Sequence, residues 1–446
     1  MQSCFIPGLG NNSRPHGPLS YPSQKCVLEH IEANTRFLLA IHCPCLRVIE
    51  KDVPLHIDWL SLMSYSTSIN ESRYHFGIHR YLEDRPTFFK ARNDDGGSAF
   101  DLDHFGREDY EAENSITPGD IITSNPHVLL RNRDEAQWTE YVRKSYKRLN
   151  ELKKMEDSPE IKLEKEKLQV AMYPAKFVRN GTPAPFKTFV QLIVLKDDEI
   201  WRIELVDCKT KILEAKKYLM TKFLGERSVP IRVKTLNINQ NNHVIRLPLG
   251  VKFCIKSIFT TGHVAHIMSA PIFDLSIFQT INIRVDHPFN LVENHEHPII
   301  QNAAFVVLCP MDNRTIENLF EIVLKYHNKS LVEVTTCSFS VAQYLNLVDM
   351  LIREPQKFGT MYSFGTPELN ILEEVIVELS QRPNVEVLTE KRFIILRISP
   401  TSELLFYVDK SKKIIGNWVL SIIVGKRPEA AESYYRAVQN RFQEQI

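Results

Sequence analysis

The sequence is short of most features that announce a function. Cysteine is scarce, 8 residues in 446, which excludes a disulfide-built scaffold and suits reduced thiols. An excess of either charge is missing too. Lys and Arg number 55 against 54 Asp and Glu, leaving +1 overall. So neutral a chain has no global field for a polyanion, and nucleic acid is not an expected partner. No apolar run reaches the roughly 18 residues a membrane helix needs, so no membrane contact is expected. The opening residues lack the basic and apolar regions of a secretory signal, which makes the expected compartment cytoplasmic or nuclear. Sequons at Asn70, Asn180, Asn313 and Asn328 are then chance matches. Phosphate-cradling glycine loops, a nucleophile elbow and an H-E-x-x-H zinc helix are all absent, so no catalytic residue, cofactor or metal is expected.

What is present is an ordinary globular balance, 43% hydrophobic and 24% charged, with length for roughly two to four domains. Residues 1–18, rich in Pro, Gly and Asn, read as a tail. Between Leu19 and Ile49 the pattern is helical. Cys26, Val27, Leu28 and Ile31 form one apolar stripe, Asn34 is placed to cap a second helix carrying Phe37, Leu38, Leu39 and Ile41, and Pro44 ends it. After Pro54 the residues Leu55, Ile57, Leu60 and Leu62 predict a strand, with an alternating partner over Tyr74–Tyr81. Asp94-Asp95-Gly96-Gly97 predicts a hairpin turn. Residues 134–168 place Trp138, Tyr141, Leu149 and Leu152 at helical spacing among alternating charges, the signature of a solvated helical arm.

Beyond Pro185, Lys196-Asp197-Asp198 separates two apolar runs, and a helix follows over about Lys211–Phe223. Val233, Leu236, Ile238 and Asn241 then fit the leucine-rich-repeat core. Phe278, Ile281, Ile283 and Asp286 keep its spacing, and Val332, Val334 and Cys337 keep most of it. A helix from Thr315 to Tyr326 separates two of these strands, and a weaker strand around Phe305–Leu308 sits between the same two. The intervals from Leu236 to Ile281 and from Ile281 to Val332 are long and unequal, so an ordinary mixed sheet backed by helices is the competing reading. Further strands are expected over Phe393–Ile398, Leu404–Val408 and Trp418–Val424, before a C-terminal helix.

Two soft-ligand groups suggest metal and are rejected. Cys26, His30, His42, Cys43 and Cys45 lie on helices whose apolar faces compete for the same side, and the cysteines are expected to be buried small hydrophobes. His263, His266, His287, His295 and His297 fall around a polar loop ending at Pro298. The acids around Gly96-Gly97 lack the order of a calcium loop.

The segment from Leu19 to Ile49 resembles an F-box through Pro22, then Val27, Leu28 and Ile31, the break at Asn34, then Phe37, Leu38, Ile41 and Cys43, and finally Leu46. It departs from that motif at Ser23-Gln24, where an acidic pair is usual, and at Leu46, where tryptophan is common. Together with PLSYPSQKCVLEHIEANTRF, CPCLRVIEKDVPLHIDWL, GGSAFDLDHFG, TPGDI and KKYLMTKFLGERSVPIRVKTLNI, the chain resembles a nematode-expanded family of C-class F-box proteins. That family carries an associated domain of unknown function, and the likeness is strongest over residues 18–250.

The resemblance implies a non-catalytic interaction protein, a substrate receptor of a cullin ubiquitin ligase. Its helices would dock a Skp-type adaptor, and its remainder would hold an unknown protein substrate. Docking would fall to Val27, Leu28, Ile31, Phe37 and Leu38, with Pro22 setting the entry angle; the same residues are equally the first candidates for an internal core. The competing reading is an orphan structural protein with a vestigial F-box. The expected fold mixes α+β and α/β character. It comprises a tail (1–18), an F-box-like helical segment (19–52), an antiparallel β-rich module (53–132) and a charged helical arm (133–172). A degenerate leucine-rich-repeat-like β/α domain (173–426) and a C-terminal helix (427–446) complete it.

Overall fold

The computed structural model describes residues 19–83, 87–111, 115–122, 134–207, 211–238, 244–261, 270–285, 297–310, 319–354, 356–389, 393–411 and 417–426. The tail at 1–18, the helix at 427–446, the start of the helix expected from Thr315, and Asn241, His263, His266, Asp286, His287 and His295 lie outside the described residues. The chain forms two compact units, residues 1–256 with 266–277, and residues 257–265 with 278–446. Each is α+β with a mixed sheet.

The first unit opens on three helices, Tyr21–His30, Ala33–His42 and Pro44–Asp52. Ser20 caps the first, its Oγ accepting the Ser23 amide at 3.4 Å. Glu32, rather than Asn34, caps the second through the Thr35 amide at 3.1 Å. Asn34 is drawn elsewhere, donating to the Ile69 carbonyl at 2.9 Å and accepting the Tyr74 hydroxyl at 2.9 Å. Pro44 does end the second helix, but it also opens a third, because proline at a first turn removes only an amide that has no helical partner anyway.

The sheet of this unit is assembled from distant stretches. His56–Leu62 runs parallel to Ile231–Ile238, with Leu60 opposite Leu236 and Leu62 opposite Ile238. On its other edge come Ser66–Ile69, Ser72–Tyr81, Lys187–Lys196 and Glu199–Asp207, all antiparallel. Two expectations are corrected here. The strands at 56–62 and 72–81 are not direct partners, since Ser66–Ile69 lies between them. Nor do the three longer strands within 53–132 make a sheet of their own, because Ser72–Tyr81 is completed by 187–196. The apolar edge of one two-strand ribbon gains most by pairing with another. Asp197 and Asp198 form the expected turn, both at positive φ. Asp94-Asp95-Gly96-Gly97 is a turn but not a hairpin. It ends the helix Thr87–Asp94, and Gly96 and Gly97 take φ of 101° and 83°.

The helix Ile212–Leu224 packs on this sheet, burying Met220, Phe223 and Leu224. The Phe223 ring stacks on Phe37 at 4.4 Å and meets Tyr74 edge-on at 5.0 Å. The 134–172 stretch forms helices Glu135–Leu152 and Pro159–Met172, joined by Arg148 donating to Glu164 at 2.8 Å.

In the second unit, Ser257–Thr261, Thr280–Val285, Phe305–Pro310, Leu331–Val334 and Met361–Thr366 are neighbours in order, all parallel. Trp418–Lys426, Ser402–Lys410, Phe393–Arg397 and Val385–Thr389 continue antiparallel. Ile258, Ile281, Val306, Val332 and Tyr362 stand side by side, each fully buried. Ile281 and Val332 are thus not on adjacent strands. Val306 lies almost midway between them in sequence and pairs with both. Helices Val341–Arg353 and Leu369–Ser380 bury Tyr344, Leu347, Val348 and Leu351, and Leu372, Val375, Ile376 and Leu379, at the spacing of a single helix face.

Candidate functional site

Two features of the first unit stand out. The first is the N-terminal helical segment. Its inner face is closed: Leu28 is 3% exposed and Phe37 2%, while Ile31 and Leu38 are half-buried. Burying Phe37 alone contributes about 1.5–3 kcal/mol, with roughly another 1 kcal/mol from its ring stack. Beneath it lies a buried ion triad. Glu50 Oε1 forms an ion pair with Arg36 Nη2 at 3.1 Å and accepts from Arg227 Nη2 at 2.6 Å. Burial pulls both guanidinium pKa values down, and the Glu50 charge opposes that pull. Nearby, burial lowers the Lys51 ammonium to about 8, with Arg227 adding to the shift. Lys51 donates to the Lys222 and Phe223 carbonyls at 2.6 and 3.2 Å, at the C-terminal end of their helix.

Apolar side chains of the segment reach solvent as well. Val48 is 72% exposed, Ile41 48% and Val27 45%, and Pro22 and Tyr21 are also exposed. Of the six expected docking residues, then, Val27 and Pro22 reach solvent, while Leu28 and Phe37 face the unit's own core. Cys26 and Cys45 are exposed and Cys43 half-buried, correcting their expected burial. Their neighbours Leu28 and Phe37 take the inward positions instead. A second exposed apolar surface is the edge strand Glu199–Asp207, where Ile200, Trp201, Ile203, Leu205 and Val206 are each about half exposed.

The second feature is a cavity of about 600 Å³. It lies between the end of the strand Ser72–Tyr81, the helix Thr87–Asp94, the hairpin Asp101–Leu102/Glu108–Asp109 and the two helices of the charged stretch. The stretch that reads from sequence as a solvated arm therefore supplies a wall, through Trp138, Tyr141, Leu163 and Val170. Arg107 holds the hairpin closed. Its Nε donates to Asp103 Oδ2 at 2.7 Å and its Nη1 to Glu135 at 3.3 Å. Gly106 within the hairpin has φ 87°, and a Cβ there would run into the Phe186 ring.

Arg80 also lines this cavity, and the sequence motifs do not single it out. Along its strand Tyr74, Phe76, Ile78 and Arg80 occupy successive core-facing positions, so the guanidinium is delivered inward by plain period-two alternation. An arginine interrupting an apolar alternation is the available signal. Its guanidinium sits 5.5 Å from the Phe89 ring and 5.9 Å from Phe186. Burial lowers its pKa to about 10, which leaves it charged; Glu108 opposes the shift and Arg92 adds to it.

Of the histidine grouping, His297 is described and caps the helix Pro298–Asn302 through the Ile299 amide at 3.3 Å. Among the described residues no group of three or more His, Cys, Asp or Glu could hold a metal ion. No helix among them is long and apolar enough to cross a membrane.

No curated protein and no solved structure matches this chain. One family model does match, over a region that overlaps only the end of the 18–250 stretch carrying the F-box resemblance and leaves out the N-terminal helices. Residues 211–368 match a family described as a domain of unknown function, DUF3557.

Proposed function

We propose that this protein is a non-catalytic interaction adaptor, an F-box-type substrate receptor whose N-terminal helices dock a Skp-type adaptor of a cullin ubiquitin ligase. The observation that carries the reading is the set of exposed apolar side chains on those helices. Val27, Ile41 and Val48 stay exposed although the inner face is already filled by Leu28 and Phe37. Exposed large apolar residues gathered on one short segment favour a protein partner over solvent. The docking set accordingly moves from Leu28 and Phe37 to Val27, Ile41 and Val48, with Pro22 at the entry. The exposed edge strand at 199–207 would serve the unknown protein substrate by accepting an extended segment. The steps in sequence from Ile258 to Ile281, Val306 and Val332 all fall within the leucine-rich-repeat period of about 20–29 residues, and the step on to Tyr362 only just exceeds it. That spacing favours a degenerate repeat origin for the parallel strands. Such a receptor would work in the cytoplasm or nucleus.

Co-purification with a Skp-type adaptor tests the docking. Val48→Asp places a charge on an exposed position, so it should abolish recovery of the adaptor and leave thermal melting unchanged. Leu28→Asp is unsuitable, because a charge at a buried position breaks the core itself. Equal recovery by wild type and Val48→Asp would sink the docking reading. The second reading, an orphan structural protein with a vestigial F-box, would then lead. It is favoured by the inward-facing Leu28 and Phe37 and by a family match confined to residues 211–368.

A further inference from the structure

Arg80 is 5% exposed, and its Nη1 has no hydrogen-bond partner among the described residues. No ion pair to it occurs among the described residues, although acids are near. Glu108 is already engaged, accepting the Ser98 hydroxyl at 3.1 Å and the Tyr110 hydroxyl at 2.8 Å. Asp103 is taken by Arg107. A buried guanidinium with donors unmet is costly to keep, and a fold that needed only packing there would use an apolar side chain. The cost is recovered when an acceptor enters the cavity that Arg80 lines.

We propose that this cavity is a binding site for a small carboxylate with an apolar or aromatic body, held by Arg80 through its carboxylate. Its volume of about 600 Å³ falls in the range of small-molecule sites, about 300–1,000 Å³. Phe88, Trp138, Tyr141, Leu163 and Val170 supply walls for the apolar body. The anion is small because five carboxylates and four cationic side chains line the cavity. That balance repels a nucleotide or other polyanion while leaving one unpaired guanidinium for a single carboxylate. The planar fork of arginine suits that group in particular. This site is independent of the N-terminal docking face, so its test stands whichever way the adaptor experiment falls.

The test uses the full chain, calorimetric titration, and three probes: indole-3-propionate, its primary amide, and inorganic phosphate. Wild type should bind the acid at least about tenfold tighter than the amide and ignore phosphate. Arg80→Met should bind acid and amide equally, and should melt at or above the wild-type temperature, since an unpaired buried charge has been replaced by an apolar chain. Ala171→Trp, which fills the cavity and keeps Arg80, should lose both organic probes and still melt cooperatively. The proposal is overturned by equal binding of acid and amide to wild type, by no binding of either, or by undiminished preference for the acid in Arg80→Met. Displacement of the acid by equimolar phosphate would overturn it as well. So would an Arg80→Met chain that melts well below wild type, because Arg80 would then have a structural partner.

Discussion

Replacing Glu50 by glutamine tests how the N-terminal helices are held. The substitution keeps the shape of the side chain and removes its charge. Two guanidinium groups, Arg36 and Arg227, 1% and 3% exposed at their side chains, then lose their shared counter-charge. Neither is wholly abandoned. Arg36 still donates to the carbonyls of Pro54, Glu50 and Val53 at 2.7, 3.0 and 3.1 Å. Arg227 keeps the carbonyls of Glu50 and Phe223 at 3.2 and 2.9 Å. The Nε atoms of both have no partner among the described residues, so neither guanidinium is fully satisfied even before the charge is removed. Removing one member of a buried ion pair costs about 3–5 kcal/mol, and here the loss should fall within that range. Set against a typical domain stability of about 5–15 kcal/mol, it is a large fraction. The melting transition of the first unit should fall by on the order of 10 °C. Urea denaturation followed by circular dichroism measures it. Combining Arg36→Met, Glu50→Leu and Arg227→Met should restore most of the loss, since an apolar replacement of comparable volume removes the desolvation penalty along with the attraction. A Glu50→Gln chain within about 1 kcal/mol of wild type would refute the buried triad, and with it the claim that the three helices are built into this unit.

Lys51 and Gly365 each carry a further test. Lys51 has a folded pKa of about 8 against an unfolded value of about 10.4. Between those values the unfolded chain binds the extra proton, so wild-type stability relative to Lys51→Met should rise as pH goes from about 8 to about 10. Urea titrations of both chains at several pH values check the sign, and a falling difference would contradict the burial of the ammonium. In the second unit, Gly365 lies where a Cβ would collide with the Thr335 carbonyl oxygen. Gly365→Ala should therefore destabilise by about 3 kcal/mol or more, because two strand backbones must part. A change below about 0.5 kcal/mol would reject the register of Leu331–Val334 on Met361–Thr366.

Local signals in the sequence are legible wherever one element decides its own form. Asp197-Asp198, flanked by apolar runs, turns where expected, and the helix expected over 211–223 is found at Ile212–Leu224. The reading fails where a residue's role depends on a distant partner. Asn34 looks like a cap, but the Ile69 carbonyl and Tyr74 hydroxyl, both far from it in sequence, outcompete the local amide. Leu28 and Phe37 look equally fit for docking or for a core. Phe223, much further along the chain, decides the matter for Phe37 by stacking on it. Arg80 carries a signal, a charge at a core-facing strand position, yet its meaning needs the cavity walls, several of which come from helices beyond residue 134.

The spacing of the parallel strands shows how one undervalued element can distort a reading of the sequence. Ile281-x-Ile283 and Val332-x-Val334 both carry the alternation of a buried strand. Phe305–Pro310 reads as weaker because its Val306, Val307 and Leu308 run without alternation. A parallel strand covered on both faces has no polar positions to alternate with, so continuity is what such a strand should display. Discounting it doubles the apparent spacing between Ile281 and Val332 and makes the intervals look irregular. Restoring it gives two nearly equal intervals, with Ile281, Val306 and Val332 in register and Ile283, Leu308 and Val334 beside them. The following interval, from Val332 to Tyr362, is longer because it carries the helix Val341–Arg353 and a glycine turn at Gly359. After Met361–Thr366 the pairing turns antiparallel. The parallel stack therefore ends at a strand buried along its whole length, closed by a strand of opposite direction where the stack would otherwise leave an open apolar edge.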